Sequence, residues 1–85
     1  MDESAFSLIG LVAIVTGASG GIGRAISLTF ARAGAKLALA ARHPEPLEAL
    51  AQEARALGVP ALAIPTDVTR SDQVQRLVQQ TKSEF

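Results

Sequence analysis

The chain has no cysteine, tyrosine or tryptophan, and its only histidine is His43. Without cysteine, disulfide bonds, thiolate metal sites and a catalytic thiol are excluded. Without tyrosine, few side chains suited to proton transfer near neutral pH remain. His43 lies in a proline-containing segment, which indicates a surface loop residue rather than a ligand or a catalyst. The carboxylates lie mostly on polar helix faces, so we expect neither a metal site nor a catalytic residue in this chain.

The chain also has no net formal charge, because eight basic residues balance eight acidic ones. A neutral balance gives no electrostatic reason to expect nucleic acid or a membrane surface as a partner. Residues 1–4 are acidic rather than basic, and the apolar run after them is broken by Gly10. This pattern favours neither a signal peptide nor a membrane span, and it predicts a cytoplasmic protein.

Three short apolar runs alternate with three amphipathic segments over the 85 residues. The runs at 11–16, 36–41 and 61–64 predict strands, and the first has the composition of a strand buried on both faces. Gly34 and Gly58 follow the first two amphipathic segments, as is typical of helix ends. The predicted buried stripes are Ile22, Ala25, Ile26, Thr29, Phe30 and Ala33 in the first helix, Leu47, Leu50, Ala51, Ala54 and Leu57 in the second, and Val74, Leu77, Val78, Thr81 and Phe85 in the third.

The resulting element order is βαβαβα, in a chain long enough for one small domain. We expect Pro46 in the first turn of the second helix, and Thr69 or Ser71 as the cap of the third. Right-handed crossovers make this order half of an α/β, Rossmann-type, doubly wound parallel sheet with strand order 3-2-1.

A glycine-rich loop at residues 16–23 joins the first predicted strand to the first helix. Gly17 allows a tight turn, and the absence of side chains at Gly21 and Gly23 lets a pyrophosphate and the neighbouring backbone approach. The helix that begins near Ile22 then directs free N–H groups and the positive end of its dipole at the phosphates. No Gly-Lys-Ser/Thr follows, which excludes a P-loop. The alternative is a loop that serves only the strand-to-helix turn.

The segment Thr16-Gly17-x-x-x-Gly21-x-Gly23 resembles the TGxxxGxG motif of the short-chain dehydrogenase/reductase family. The similarity extends over nearly the whole chain. Further matches are Phe6-x-Leu8-x-Gly10, Gly34-Ala35, Ala41-Arg42 and Asp67-Val68. Leu11 departs from the pattern, since a basic residue is common there. The resemblance implies a lead-in at residues 1–10 and a partial NAD(P)-binding Rossmann domain at 11–85 that stops before the catalytic half.

The same resemblance bears on which dinucleotide is bound. NAD-binding members have an acidic residue at the end of the second strand, where this chain has Ala41 followed by Arg42. A guanidinium attracts a 2′-phosphate that a carboxylate would repel, so NADP(H) is predicted over NAD(H), with Ser19 as a second contact. Gly20 argues against this, because many NADP-using relatives have a basic residue there. The alternative for Arg42 is a solvated charge at a strand end.

Asp67 resembles the adenine-contacting aspartate of the family, although a turn-forming Asp before a helix would occupy the same place. The predicted site therefore combines the glycine loop, the end of the second strand and the start of the third loop. The predicted cofactor-binding residues are Gly17, Ser19, Gly20, Gly21, Ile22, Gly23, Arg42, Asp67 and Val68.

The reaction that the resemblance implies is hydride transfer between nicotinamide and a small carbonyl or alcohol substrate, in a protein that forms homo-oligomers when complete. The family uses a Ser and a Tyr-x-x-x-Lys pair, and this chain has no Tyr. We therefore predict an inactive cofactor-binding portion. Two alternatives stay open: a non-catalytic dinucleotide-binding module, and part of an extended-type sugar-nucleotide epimerase or dehydratase, which the spacing Gly17-x-x-Gly20-x-x-Gly23 resembles. A methyltransferase-type domain would need an acidic residue where Ala41-Arg42 stand.

Overall fold

The computed structural model describes residues 7–85. Residues 1–6 of the predicted lead-in, with Phe6 of the approach motif, lie outside the described residues. Six elements alternate along the chain. They are β1 (Val12–Thr16), α1 (Gly21–Arg32), β2 (Lys36–Ala41), α2 (Pro44–Ala56), β3 (Ala61–Pro65) and α3 (Ser71–Glu84).

The three strands form one parallel sheet in the order β1-β2-β3. This confirms the predicted order 3-2-1 and the predicted Rossmann-type architecture. In a parallel sheet with an ordered register, residues side by side point to the same face. Val15, Leu39 and Ala63 form one such row, and they belong to the larger hydrophobic cluster.

The two faces of the sheet are covered by different helices. The larger cluster joins one face to α1 and α2 through Leu28, Leu47 and Leu50, all of which are buried. The smaller cluster joins the other face to α3, through Ile64 of β3 and Leu77 of the helix. The molecule is therefore a three-layer α/β/α arrangement, in which the carboxyl ends of the three strands meet at one edge.

The prediction that β1 is buried on both faces is wrong for the described residues. Val15 is buried, but Val12 and Ile14 are 42% and 43% exposed. Ile14 lies beside Ala38 on the face that α3 covers, and the cluster of α3 is made with β2 and β3. The described residues therefore leave that side of β1 uncovered, because β1 is an edge strand here.

The predicted stripe of α1 is also partly wrong. The helix buries Ser27, Leu28 and Ala31, while Ile22 is 81% exposed and Ile26 is 41% exposed. Ser27 tolerates full burial because its hydroxyl donates a 2.7 Å hydrogen bond to the Gly23 carbonyl. A helix with small and apolar residues on several faces is positioned by the shape of its neighbours rather than by its most hydrophobic stripe.

Helix ends differ from prediction in two places. α2 begins at Pro44, two residues before Pro46, which still lies in its first turn. Neither Thr69 nor Ser71 caps α3, because the N-cap residue is Arg70 and no side chain caps the helix there. Two predicted stripe residues are exposed as well. They are Leu57, which is the C-cap of α2, and Val78.

Gly34 and Gly58 end α1 and α2 as predicted. Both follow the C-cap residue and have positive φ angles, +98° and +97° respectively, which L side chains rarely adopt. Gly34 has a second reason to lack a side chain, since its Cβ would lie 2.6 Å from Cγ1 of Ile9. The segment before β1 is thus packed on the end of α1, where the Leu8 N–H also donates to the Ala33 carbonyl over 2.7 Å.

Candidate functional site

The glycine-rich loop leaves β1 at the carboxyl edge of the sheet and turns directly into α1. Gly17 has a φ of +62°, and the Gly20 N–H donates to its carbonyl over 3.2 Å. Ala18 is fully buried in the larger hydrophobic cluster, and this packing holds the loop against the core. The tight turn predicted at Gly17 is therefore present.

Two glycines in the first turn of α1 differ in what surrounds them. A Cβ on Gly23 would lie 2.1 Å from the Gly17 carbonyl oxygen, a distance that no real contact shows. A Cβ on Gly21 would meet nothing within 4 Å. Gly23 is therefore required for the close approach of helix and loop. Gly21 leaves open space beside the helix N-terminus.

No side chain of α1 or of its N-cap residue accepts a hydrogen bond from the free N–H groups at the N-terminus of the helix. Its N-cap is Gly20, which has no side chain, and its first turn contains no acidic residue. The first N–H groups of a helix have no intrahelical partner, and the helix dipole places partial positive charge there. This end of α1 is consequently suited to an anion.

Main-chain hydrogen bonds connect the loops that follow the three strands. The Ala18 N–H of the glycine loop donates to the Ala40 carbonyl at the end of β2 over 3.1 Å. The Thr66 N–H after β3 donates to the Ala41 carbonyl over 2.8 Å. These bonds hold the glycine loop, the start of the loop carrying Arg42, and the end of β3 along one edge.

An open cleft of about 370 Å³ lies beside the ends of β2 and β3. It brings together two of the predicted residues, Arg42 and Asp67. Its lining consists of Arg42, Pro65, Thr66, Asp67, Gln73 and Arg76. Gln73 and Arg76 come from α3, and sequence reasoning missed both, because charged and amide side chains on a helix usually mark a solvated face.

Asp67 organises the loop between β3 and α3. Its Oδ1 accepts hydrogen bonds from the Thr69 N–H (3.0 Å) and the Thr69 hydroxyl (2.6 Å). These two bonds lower the pKa of the Asp67 carboxyl below its usual value, with smaller contributions from Arg42 and Arg70. Asp67 is therefore a turn-forming carboxylate, and it also lines the cleft.

The remaining predicted residues lie around the glycine loop or just beyond β3. Ser19 is half-buried within the loop, and Ile22 is 81% exposed in the first turn of α1. Val68 is 55% exposed after Asp67. The structure thus places every predicted site residue at the carboxyl edge of the sheet.

This geometry is matched by known proteins. The family model for short chain dehydrogenases matches residues 11–85. The chain belongs to the short chain dehydrogenase family. A short chain dehydrogenase of Pseudocercospora fijiensis is 42% identical over 78 residues, which is 92% of this chain and 25% of that protein.

Solved structures of short chain dehydrogenases share the fold. A short-chain type dehydrogenase/reductase from Mycobacterium marinum has 46% identity and a TM-score of 0.88, over 93% of this chain and 31% of its own. A metagenomic short-chain oxidoreductase in complex with NADP has 38% identity and a TM-score of 0.85, over 91% of this chain and 35% of its own. The chain therefore spans about a quarter to a third of the length of these relatives.

Short chain dehydrogenases bind nicotinamide dinucleotides, and the described residues fit such a group. The open space at Gly21 and the uncapped N-terminus of α1 suit a pyrophosphate. No helix among residues 7–85 has the length and apolar character needed to cross a membrane.

Proposed function

We propose that this chain binds NADP(H) in preference to NAD(H), as the cofactor-binding portion of an oxidoreductase. The observation that supports the preference is Arg42. It follows directly on β2, beside a strand end that is hydrogen-bonded to the glycine loop through Ala18 and Ala40. A guanidinium at that place meets a 2′-phosphate with a charge-assisted hydrogen bond. The NADP complex of the metagenomic relative supports the same choice.

The cofactor-binding residues of this proposal are those at the carboxyl edge of the sheet. The N-terminus of α1, from Gly20 to Gly23, holds the pyrophosphate, and the open side of Gly21 gives it room. Arg42 and Ser19 bind the 2′-phosphate, while Asp67 and Val68 border the adenine. Gly17 shapes the loop and Ile22 supplies a first-turn N–H group.

The proposal extends to the complete protein. The bound nicotinamide supplies hydride exchange with a small carbonyl or alcohol substrate. Residues 11–85 provide the dinucleotide site, and the residues that move protons come from outside this chain, which contains no tyrosine. The complete protein is a cytoplasmic homo-oligomer that acts on small molecules. The 85-residue chain itself should bind NADPH without consuming it when aldehydes or ketones are added.

The test compares NADPH and NADH binding in the wild type and in Arg42→Glu. Wild type should bind NADPH more tightly. Arg42→Glu should weaken NADPH binding about 10- to 100-fold, because a charged hydrogen bond is lost and a repulsion is added, and it should leave NADH binding little changed. Isothermal titration gives both dissociation constants.

Arg32→Glu is the matched control. Arg32 is an exposed arginine in the last turn of α1, at the opposite edge of the sheet from the glycine loop. The Arg32→Glu substitution should change the dissociation constants of NADPH and NADH by no more than about twofold. Equal affinities for NADPH and NADH in both the wild type and Arg42→Glu would refute the assignment of the 2′-phosphate to Arg42.

A further inference from the structure

The cleft beside the ends of β2 and β3 contains a second arginine that the proposed function does not use. Arg76 lies on α3, one turn after Gln73, and both side chains line the cleft with Arg42. Residues three apart on a helix share a face. α3 therefore presents an arginine and an amide to the same space that Arg42 borders from the end of β2.

The charge in this cleft is poorly balanced. Within residues 7–85, Arg24, Arg55 and Arg70 form ion pairs with carboxylates on the protein surface. Arg42 and Arg76 form no ion pair with any acidic residue of that segment. Two guanidinium groups that line one cleft, without an ion-pair partner among residues 7–85, create a positive potential there, and such a site attracts an anion.

Asp67, the acidic residue of the lining, cancels only part of this charge. Its Oδ1 already accepts two hydrogen bonds from Thr69. One carboxylate also leaves the two arginines of the cleft with a net charge of one unit. The cleft therefore combines two guanidinium groups with one carboxylate, of which one oxygen is already hydrogen-bonded within its own loop.

Gln73 adds a neutral donor to the cleft. Its Oε1 accepts a 2.7 Å hydrogen bond from the Asp67 N–H. With the oxygen held in this way, the N–H donors of the amide are left for another partner. The α3 side of the cleft thus offers donors only, and a phosphate monoester, which has three acceptor oxygens, matches such a set.

We propose that Arg76 acts with Arg42 to bind the 2′-phosphate of NADP(H), so that α3 contributes to cofactor selectivity. This inference rests on the proposed function. It adds a specificity-determining residue from an element that carries no part of the glycine motif. The two arginines approach the phosphate from β2 and α3, and Gln73 donates beside them.

The test uses Arg76→Gln, which keeps a polar side chain of similar length and removes the charge. The ligands are adenosine 2′,5′-bisphosphate and 5′-AMP, which differ by the 2′-phosphate, together with NADPH and NADH. Arg76→Gln should weaken binding of the bisphosphate and of NADPH about tenfold, the effect of one charged hydrogen bond. Binding of 5′-AMP and NADH should change less than about twofold.

Arg32→Gln serves as the control for charge, and circular dichroism melting should give Arg76→Gln the same folded signal and midpoint as the wild type. Raising the salt concentration should weaken bisphosphate binding less in Arg76→Gln than in the wild type, because fewer charges are then engaged.

The outcomes separate the two proposals. If wild type binds neither NADPH nor the bisphosphate, both are overturned. If wild type prefers NADPH but Arg76→Gln keeps wild-type affinities, the proposed function stands and the role of Arg76 is refuted. An equal loss for 5′-AMP and the bisphosphate would also refute it, since Arg76 would then contact the nucleoside and not the 2′-phosphate.

Discussion

Gly21 and Gly23 lie two residues apart in the first turn of α1 and differ in their surroundings. The carbonyl of Gly17 occupies the place that a side chain on Gly23 would need. The corresponding place on Gly21 is open. Neither residue has a positive φ, so the difference between them is one of space and not of backbone strain.

Gly23→Ala should therefore destabilise the fold, and Gly21→Ala should not. We expect Gly23→Ala to lower the free energy of unfolding by about 1–3 kcal/mol, because the loop must move away from the helix. Gly21→Ala should leave it unchanged or raise it by up to about 1 kcal/mol, since alanine favours helix more than glycine. Urea denaturation measures both values.

Gly21→Ala should weaken dinucleotide binding although it does not lower stability. Gly21→Ala puts a methyl group into the space proposed for the pyrophosphate, and NADPH binding should weaken at least about tenfold in a protein of undiminished stability. Normal NADPH binding by a stable Gly21→Ala protein would mean that the pyrophosphate lies elsewhere.

Among the elements, α2 follows its sequence pattern closely, while α1 does not. In α2 the buried residues are four of the five predicted. They are Leu47, Leu50, Ala51 and Ala54. The fifth, Leu57, is 43% exposed because the helix ends at Ala56 and the chain turns away there. A stripe predicts burial only while the residues remain helical.

Leu50→Ala and Leu57→Ala should consequently differ in their effect on stability. Leu50 is 1% exposed, so its truncation should lower the free energy of unfolding by about 2–5 kcal/mol. Leu57→Ala should change it by less than about 0.5 kcal/mol. Denaturant titration of the two variants provides the comparison, and equal losses would show that the end of α2 is packed in solution.

The candidate site was predictable where it follows strand ends and unpredictable where it depends on helix faces. The glycine loop, Arg42 and Asp67 each lie within two residues of the end of a strand, and parallel strands bring such positions to one edge. Gln73 and Arg76 reach the same cleft only because α3 crosses over β2 and β3. Spacing along a polar helix face does not indicate which charges meet another element.

The α1 face and the α3 cap were predicted wrongly for related physical reasons. Ser27 is buried in α1 because a backbone carbonyl satisfies its hydroxyl, which hydrophobicity alone does not indicate. Thr69 is turned toward Asp67 and is therefore not the N-cap of α3. In both cases a hydrogen bond from a side chain to a nearby group sets the local structure, and the pattern of apolar residues does not reveal such a bond.

At the scale of the whole molecule, the described residues bury one side of the sheet better than the other. The α1 and α2 side carries the larger hydrophobic cluster. On the opposite face α3 packs over β2 and β3, while Val12 and Ile14 of β1 stay partly exposed. An apolar edge strand is a template for pairing with another chain.

The 85-residue chain should therefore self-associate through β1. Sedimentation velocity should show an average mass that rises with protein concentration. Ile14→Lys should shift this association to higher concentration, because a charge on an edge strand opposes pairing. Gln79→Lys, which adds the same charge on an exposed position of α3, should have a smaller effect. A monomer at all concentrations in the wild type would contradict this prediction.

The main-chain bonds at the end of β2 have a consequence for how cofactor preference changes over evolution. The carbonyls of Ala40 and Ala41 are held by the N–H groups of Ala18 and Thr66, and no side chain takes part in either bond. The side chain at position 42 is exposed and contributes nothing to that framework. Position 42 can thus vary without disturbing these main-chain bonds. Under the role proposed for Arg42, descendants of one ancestral protein can exchange one dinucleotide for the other in few mutational steps while remaining folded throughout.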